Sequence, residues 1–354
     1  MKESYMTTSP KNPVGILGFE FVEFASPNPE NLHSLFFDLG FSRIKSDPIG
    51  QVDYYNQSDI HFLINKNPKS FAADFAKLHG PSVCSTGWRV ENAELAFTVA
   101  VSRGAKPALK TDYMRNGKKV PAIVGVGESV IYFIDDHKNP ARYDQMGFVA
   151  AESPTLAKPK GFALMDHLTN NVYPGELLPL ANFYRDVFGF EDVRYFDIRG
   201  EKTGLLSFAL RSPCGSFCIP INEGTEDKSQ INEYLREYKG QGIQHIALLT
   251  PNILNTMKEM EGAKFDTLDI DADYYDEVFT RIPIVSEDHQ KIKDYNLLVD
   301  GDDSGYLIQI FSKNVIGPIF FEFIQRKNNL GFGEGNFGAL FRAIERDQER
   351  RGVL

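Results

Sequence analysis

Two histidines and one glutamate are the residues of this sequence best suited to carry chemistry. His167 stands in "ALMDHLTNN", His245 in "GIQHIALLT" and Glu322 in "PIFFEFIQR". The two histidines occupy the same place in two similar segments, 78 residues apart. Paired strands of a repeat can aim two imidazoles at one centre, although each alone also fits a hydrogen-bonded core histidine. Glu322 sits among Phe320, Phe321, Phe323 and Ile324. An unpaired carboxylate buried there would cost on the order of several kcal/mol, so it needs a cationic partner, either an arginine or a metal ion. Two imidazoles and one carboxylate form the facial set suited to non-haem Fe(II), with three positions left for a bidentate substrate and dioxygen. Zinc takes similar ligands but prefers four-coordinate geometry and has no redox chemistry.

A second group of polar side chains interrupts apolar runs. Ser207 lies in "LLSFAL", Asn222 in "CIPIN", Gln230 in "KSQ", Gln244 directly before His245, and Gln309 in "YLIQIF". Singly, such residues are more often satisfied structural amides and hydroxyls. Together with Phe311, Phe320, Phe332 and Phe337 they describe an aromatic cavity holding a few placed polar groups. Such a cavity suits a flat, mostly apolar molecule with a polar end.

The elements that must position these groups recur along the chain. "GILGFEFVEFASPNPENLHSLFFDLGF" reads as a strand, a polar turn and an amphipathic helix stopped by glycine. The same order returns in "GFALMDHLTNNVYPGELLPLANFYRDVFGF" and "GIQHIALLTPNILNTMKEMEGAKF", and more weakly in "GWRVENAELAFTVAVSRGAKP". Short β-rich runs follow each helix, for example "QVDYYNQSDIHFLIN", "SVIYFIDD" and "SGYLIQIFS". The pattern predicts an α+β protein of four βαβββ units, at residues 14–80, 85–145, 160–225 and 240–326. Units one and two would form an N-terminal domain (14–149) and units three and four a C-terminal domain (161–354). Residues 1–13 read as a mobile arm, and 150–160 as a linker by their Pro/Lys/Ala composition. Residues 338–351 read as an amphipathic helix with Leu340, Ala343 and Ile344 on one side. Arg342–Glu345 and Arg346–Glu349 would be i,i+3 pairs.

The stretch "GFGEGNFGALF" contains G-x-G-x-x-G, the pattern of a dinucleotide-binding turn. A strand precedes it and a helix follows, but the sequence after the helix offers no second strand or distal acidic residue to complete such a unit. The glycines are better read as a flexible turn placing Phe332, Asn336 and Phe337.

The bulk numbers agree with a globular protein that buries a real core. The chain has 354 residues, 42% of them hydrophobic and 24% charged, with a net charge of −10. An acidic balance without a long basic run argues against nucleic acid or an anionic membrane surface as partner. No apolar run approaches the ~20 residues of a membrane helix, and the first residues show no secretory signal. Cys84, Cys214 and Cys218 are too few and too scattered for a zinc site; they suit thiols in a reducing cytoplasm.

The motifs "MDHLTNNV", "PINE", "KSQI", "GIQHIAL", "LIQIF", "FFEFIQR" and "GFGEGNFGALF" together resemble the 4-hydroxyphenylpyruvate dioxygenase family. The resemblance covers essentially all of the C-terminal half; the N-terminal half matches in layout more than in motif. The compact length is similar to that of bacterial members. The resemblance implies a vicinal oxygen chelate fold (glyoxalase/bleomycin-resistance-like) with two open-barrel domains. It implies Fe(II) held by His167, His245 and Glu322, and a substrate pocket of Ser207, Asn222, Gln230, Gln244, Gln309, Phe311, Phe320, Asn336 and Phe337. The C-terminal helix would gate that pocket, with the glycine-rich turn as its hinge. The implied reaction is 4-hydroxyphenylpyruvate + O2 → homogentisate + CO2, in a cytoplasmic homo-oligomer (dimer or tetramer) serving tyrosine and phenylalanine catabolism. The segment "EGTED" before Gln230 is shorter than in plant members, which bears on the placement of Gln230. The related 4-hydroxymandelate synthases usually carry an aliphatic residue and a tyrosine at the positions of Asn222 and Phe337, so this sequence resembles the dioxygenase. The remaining alternative is a non-catalytic binding protein built from the same repeats.

Overall fold

The computed structural model describes residues 11–354. Strands form where β-branched and aromatic residues alternate between turn residues, as such side chains fit a half-buried pleated surface. In the first half they are β1 (Ile16–Ala25), β2 (Ser42–Ser46), β3 (Val52–Gln57), β4 (Ile60–Asn65) and β5 (Ser82–Val90). A small ribbon of β6 (Met114–Arg115) and β7 (Lys118–Lys119) follows, then β8 (Ala122–Val124), β9 (Val130–Ile134) and β10 (Val149–Thr155). The second half carries β11 (Leu164–Val172), β12 (Glu191–Arg199), β13 (Gly204–Arg211) and β14 (Cys218–Gly224). It continues with β15 (Gly242–Leu249), β16 (Leu298–Asp302), β17 (Gly305–Phe311) and β18 (Phe320–Lys327).

Two eight-stranded sheets result, ordered β10-β2-β3-β4-β1-β5-β9-β8 and β12-β13-β14-β11-β15-β18-β17-β16. In each, two first strands of repeat units lie antiparallel at the centre, β1 with β5 and β11 with β15. The last strand of each unit runs parallel beside its first, β4 on β1, β9 on β5, β14 on β11 and β18 on β15. The repeated order is therefore a real symmetry. Glycines end the helices in all four units with left-handed φ, at Gly40 (84°), Gly104 (106°), Gly189 (78°) and Gly262 (86°). Side-chain caps start two of them, with Asn92 accepting from the amide of Leu95 and Asn252 from that of Asn255.

Register shows that, among the described residues, the first sheet has other side chains where the second has its candidate triad. Glu23 faces Ser85 across β1–β5 as Thr169 faces His245 across β11–β15. Ser85 pairs with Val130 as His245 pairs with Phe320. Phe21, Ser85 and Tyr132 thus stand where the second sheet has His167, His245 and Glu322. Around Phe21 and Tyr132, the aromatics Tyr54, Tyr113, Tyr143 and Phe148 fill the first sheet's inner face. Gly87 is required there, because a Cβ would overlap the ring of Phe21. The main core lies between the two halves, where Trp88 packs on Phe188, Phe190 and Phe217.

The structure differs from three of the organisational expectations. Residues 150–160 are not simply a linker: Val149–Thr155 is β10, which crosses to the far edge and pairs antiparallel with β2. It satisfies backbone groups that an open edge would leave exposed. The mobile arm 1–13 falls mostly outside the described residues, but its end is tied down. Asn12 exchanges two bonds of 2.8 Å with the backbone of Ile16. The C-terminal helix runs Phe337–Arg350 rather than over 338–351. Its expected i,i+3 pairs do not form; Arg342 and Arg346 bind Asp271, Glu345 binds a backbone turn and Glu349 pairs with Lys202. Tertiary partners outcompete the weak pairs of an exposed helix face.

Candidate metal centre and its cavity

Three adjacent strands of the second sheet carry the centre: β11 gives His167, β15 gives His245 and β18 gives Glu322. His167 Nε2 is 3.0 Å from Glu322 Oε2, and His245 Nε2 is 3.5 Å from the same oxygen. The two Nε2 atoms are 3.3 Å apart. Among the described residues this is the one group of three such side chains placed to hold a metal ion.

The outer nitrogens are already committed. His167 Nδ1 lies 2.8 Å from Asp166 Oδ2, and Asp166 is gripped in turn by Arg326 through two bonds of 2.7 Å. His245 Nδ1 lies 3.1 Å from Gln244 Oε1. With both Nδ1–H groups donating outward, both Nε2 lone pairs face the carboxylate and each other. The Thr169 hydroxyl, 3.0 Å from His245 Nε2, can serve one of these lone pairs; a shared proton or metal ion serves the rest. Burial pushes the Glu322 carboxyl up, but His167 and His245 outweigh it and hold it at about 2. Burial also works against charge on His167, yet Glu322 and Asp166 overcome it and lift the imidazole to about 9. His245 moves the other way, through burial and the charge of His167. The centre favours one proton, or a metal ion in its place. The donor set fits the pattern of two histidines and one carboxylate with open positions. Among the described residues Glu322's ion-pair partners are the two histidines and no arginine, which speaks against the arginine alternative.

The centre lines a cavity of about 140 Å³. That is of the order of a cavity that takes one benzene ring. Its walls include Ser207, Asn222, Gln230, Gln244, Phe311, Phe320, Phe332 and Phe337. Phe320 stacks on the His245 ring at 4.8 Å, and the edge of Phe332 meets His167 at 5.8 Å. Asn222 Nδ2 is 3.5 Å from Gln244 Oε1, so one amide oxygen serves both Asn222 and His245. From the C-terminal helix, Leu340, Phe341 and Ile344 close the wall.

Gln309 and Asn336 do not line the cavity. Gln309 is buried beneath Gly333, whose left-handed φ of 78° and missing side chain make room for the amide. Asn336 is held by Tyr274 at 2.7 Å and Arg281 at 3.3 Å. Both amides retain unpaired polar atoms. Thr169, 3.0 Å from His245 Nε2, and the Asp166–Arg326 pair were not singled out from the sequence. Part of the signal was there: strand alternation puts Arg326 on the same side as Glu322, and Asp166 directly precedes His167.

Comparison with known proteins agrees with this geometry. Residues 10–148 match the family model "Hydroxyphenylpyruvate dioxygenase, HPPD, N-terminal", and residues 164–310 match that of the glyoxalase/bleomycin resistance protein/dioxygenase superfamily. Protein MelA of Shewanella colwelliana is 54% identical over 98% of this chain and 99% of its own length. The 4-hydroxyphenylpyruvate dioxygenase of Pseudomonas aeruginosa is 43% identical over 97% of each chain. Among solved structures, a xylose isomerase-like TIM barrel/4-hydroxyphenylpyruvate dioxygenase fusion protein superposes with a TM-score of 0.80 at 26% identity. The match covers 98% of this chain and 55% of the fusion. A variant of 4-hydroxymandelate synthase from Streptomyces coelicolor shares the fold at a TM-score of 0.81, with 21% identity over 94% of this chain and 99% of that one. With relatives this similar along nearly the whole sequence, and a two-histidine, one-carboxylate centre on the wall of an aromatic cavity, the chain belongs to the 4-hydroxyphenylpyruvate dioxygenase family.

Proposed function

We propose that this protein converts 4-hydroxyphenylpyruvate and O2 to homogentisate and CO2, with Fe(II) held by His167, His245 and Glu322. The observation that carries the reading is the triad itself, three donor atoms within 3.5 Å of one another on the wall of an aromatic cavity. Bound iron would supply a chelation point for the substrate's keto and carboxylate oxygens and the one-electron chemistry that dioxygen requires.

The protein's own residues do the rest. Asp166 and Gln244 hold the two imidazoles in the tautomer that presents Nε2 inward. Gln244 and Asn222, joined at one amide oxygen, offer polar atoms to the oxo-acid arm and fix its orientation. Phe311, Phe320, Phe332 and Phe337 surround the ring and keep water from the reacting carbon. The helix Phe337–Arg350 covers the cavity and must move for exchange of substrate and product. The substrate carries its own 2-oxo acid, so no second oxo acid is needed.

A second reading, 4-hydroxymandelate synthesis, shares substrate and metal; Asn222 and Phe337, both on the cavity wall, favour the dioxygenase. The family resemblance supports a cytoplasmic homo-oligomer, dimer or tetramer; among the described residues no helix is long and apolar enough to cross a membrane. The experiment is anaerobic loading with Fe(II), addition of 4-hydroxyphenylpyruvate and air, and chromatography of products. Homogentisate is expected. Hydroxymandelate would move the protein to the second reading, and neither product with iron bound would overturn the substrate.

A further inference from the structure

Arg326 makes more contacts than an ordinary ion pair needs. Its Nε and Nη2 each bond Asp166 at 2.7 Å, and Asp166 holds His167 Nδ1. Its remaining Nη1 turns the other way, to the carbonyl oxygens of Gly331 at 2.7 Å and Asn329 at 3.2 Å. Those carbonyls belong to the turn that leads from β18 into the C-terminal helix. The same turn carries Phe332, whose ring meets the His167 ring edge-on. One guanidinium therefore bridges a candidate metal ligand and the base of the helix that covers the cavity.

The turn is held by side chains and not by a sheet or helix ladder; beyond Arg326, Arg281 binds the Gly335 carbonyl at 2.6 Å and Asn336 at 3.3 Å, and Tyr274 binds Asn336 at 2.7 Å. Its amides bond mostly to side chains: Gly331 to Asn329, Phe332 to Glu334 and Gly335 to Asp300. Such a segment is ordered by a few directed contacts and has no ladder of its own. The Arg326–Asp166 pair is nearly buried, with side chains 14% and 12% exposed, so its geometry is not diluted by solvent. A planar fork fixed by a carboxylate on one side sets where its third donor points.

We propose that Arg326 is a positioning residue that couples the orientation of His167 to the ordering of residues 329–337, so that metal binding and closure of the cavity strengthen one another. The coupling is reciprocal: an ion that fixes His167 fixes Asp166 and Arg326, and through them the turn; a loosened turn frees the guanidinium and weakens the ion's site. The inference rests on the metal reading above, and its test separates the two.

The test uses the full chain and Fe(II) alone, under anaerobic conditions, with no substrate. Amide hydrogen exchange is followed across residues 329–337 with and without the ion, and Fe(II) affinity is measured by competition with a chelator. In the unaltered protein Fe(II) should slow exchange in this segment several-fold. Arg326→Lys, which keeps the charge but not the fork, should weaken Fe(II) about 10-fold and abolish the metal-dependent protection. Fe(II) binding to the unaltered protein with no change in exchange at 329–337 would overturn the coupling while leaving the metal site intact. Failure to bind Fe(II) would overturn both. A merely structural role would loosen the turn equally with and without metal and leave affinity unchanged, which also contradicts the proposal. The measurement on the unaltered protein decides even if the variant folds poorly.

Discussion

The side-chain oxygen of Gln244 lies 3.1 Å from Nδ1 of His245, its neighbour in the same strand. That contact leaves the Nε2 lone pair free to face Glu322. Gln244→Leu removes the acceptor and lets the ring flip. Fe(II) affinity should fall by about 10- to 100-fold, the usual effect of losing such a partner. A chelator competition assay checks this; affinity within twofold of the unaltered protein would show that the tautomer is set elsewhere.

Glu322→Ala takes away the anion that the two imidazoles share. The variant should bind Fe(II) at least 100-fold more weakly and produce no homogentisate. Its fold should persist, because both histidines can then remain neutral and the ring of Phe320 still covers His245. Circular dichroism and product analysis read the two halves of this expectation. Turnover near the original rate would remove Glu322 from the centre.

Asn222 and Phe337 lie on the cavity wall, one beside Gln244 and the other edge-on to Phe196 at 5.3 Å. Asn222→Ile and Phe337→Tyr change the polarity around the ring and side chain without touching the proposed ligands. Products should shift from homogentisate toward hydroxymandelate, most in the double variant. An unchanged product ratio on chromatography would deny these two residues a steering role.

Glu345 anchors the C-terminal helix. Its carboxylate accepts the amides of Glu201 and Lys202 at 3.1 Å and of Thr203 at 2.9 Å, and the Thr203 hydroxyl at 3.0 Å. Glu345→Ala leaves those amides unpaired, at a cost of about 1–3 kcal/mol. Protease cleavage within residues 337–350 should accelerate at least tenfold. Equal cleavage rates would mean the helix is held by its other contacts.

The pH dependence of stability should contain a contribution from the first sheet. Glu23 is fully buried, with Ser85, Tyr113 and Asn65 donating to it. Burial, and then the charge of Asp112, pushes its carboxyl up to about 7, although these donors oppose the shift. The unfolded value is near ~4.3. The folded state therefore binds the extra proton between these limits. Its stabilising effect is full below the lower limit and is lost as pH rises through the upper one. Relative to the unaltered protein, Glu23→Gln should gain on the order of 2 kcal/mol between pH 5 and pH 8. Parallel denaturant titrations at the two pH values measure it; a constant difference would show that Glu23 titrates normally.

Much of this architecture was legible in the sequence because it is repeated. The glycine stops at Gly40, Gly189 and Gly262 and the matched positions of His167 and His245 are local signals that one chain displays more than once. Long-range pairing was not legible. Nothing local in Val149–Thr155 says that it crosses to β2, and its proline and lysine neighbours resemble a linker. The polar residues divided on the same line. Asn222 and Gln244 line the cavity, although simple alternation would turn Gln244 away from His245; the β11–β15 register shifts at Gln244. Gln309 departs from the expectation because its space is set by Gly333, far along the chain. Asp166 and Arg326, separated by 160 residues, become partners only when β11 and β18 flank β15.

The central claim is that His167, His245 and Glu322 hold iron that puts dioxygen into 4-hydroxyphenylpyruvate. The most direct measurement is turnover of that substrate by the Fe(II)-loaded protein under 18O2, with mass spectrometry of the product and the released gas. The account predicts homogentisate carrying one label in the new carboxylate and one in the new ring hydroxyl, with unlabelled CO2 from the substrate's own carboxyl. No oxygen uptake with iron bound, or a product without label, would contradict it.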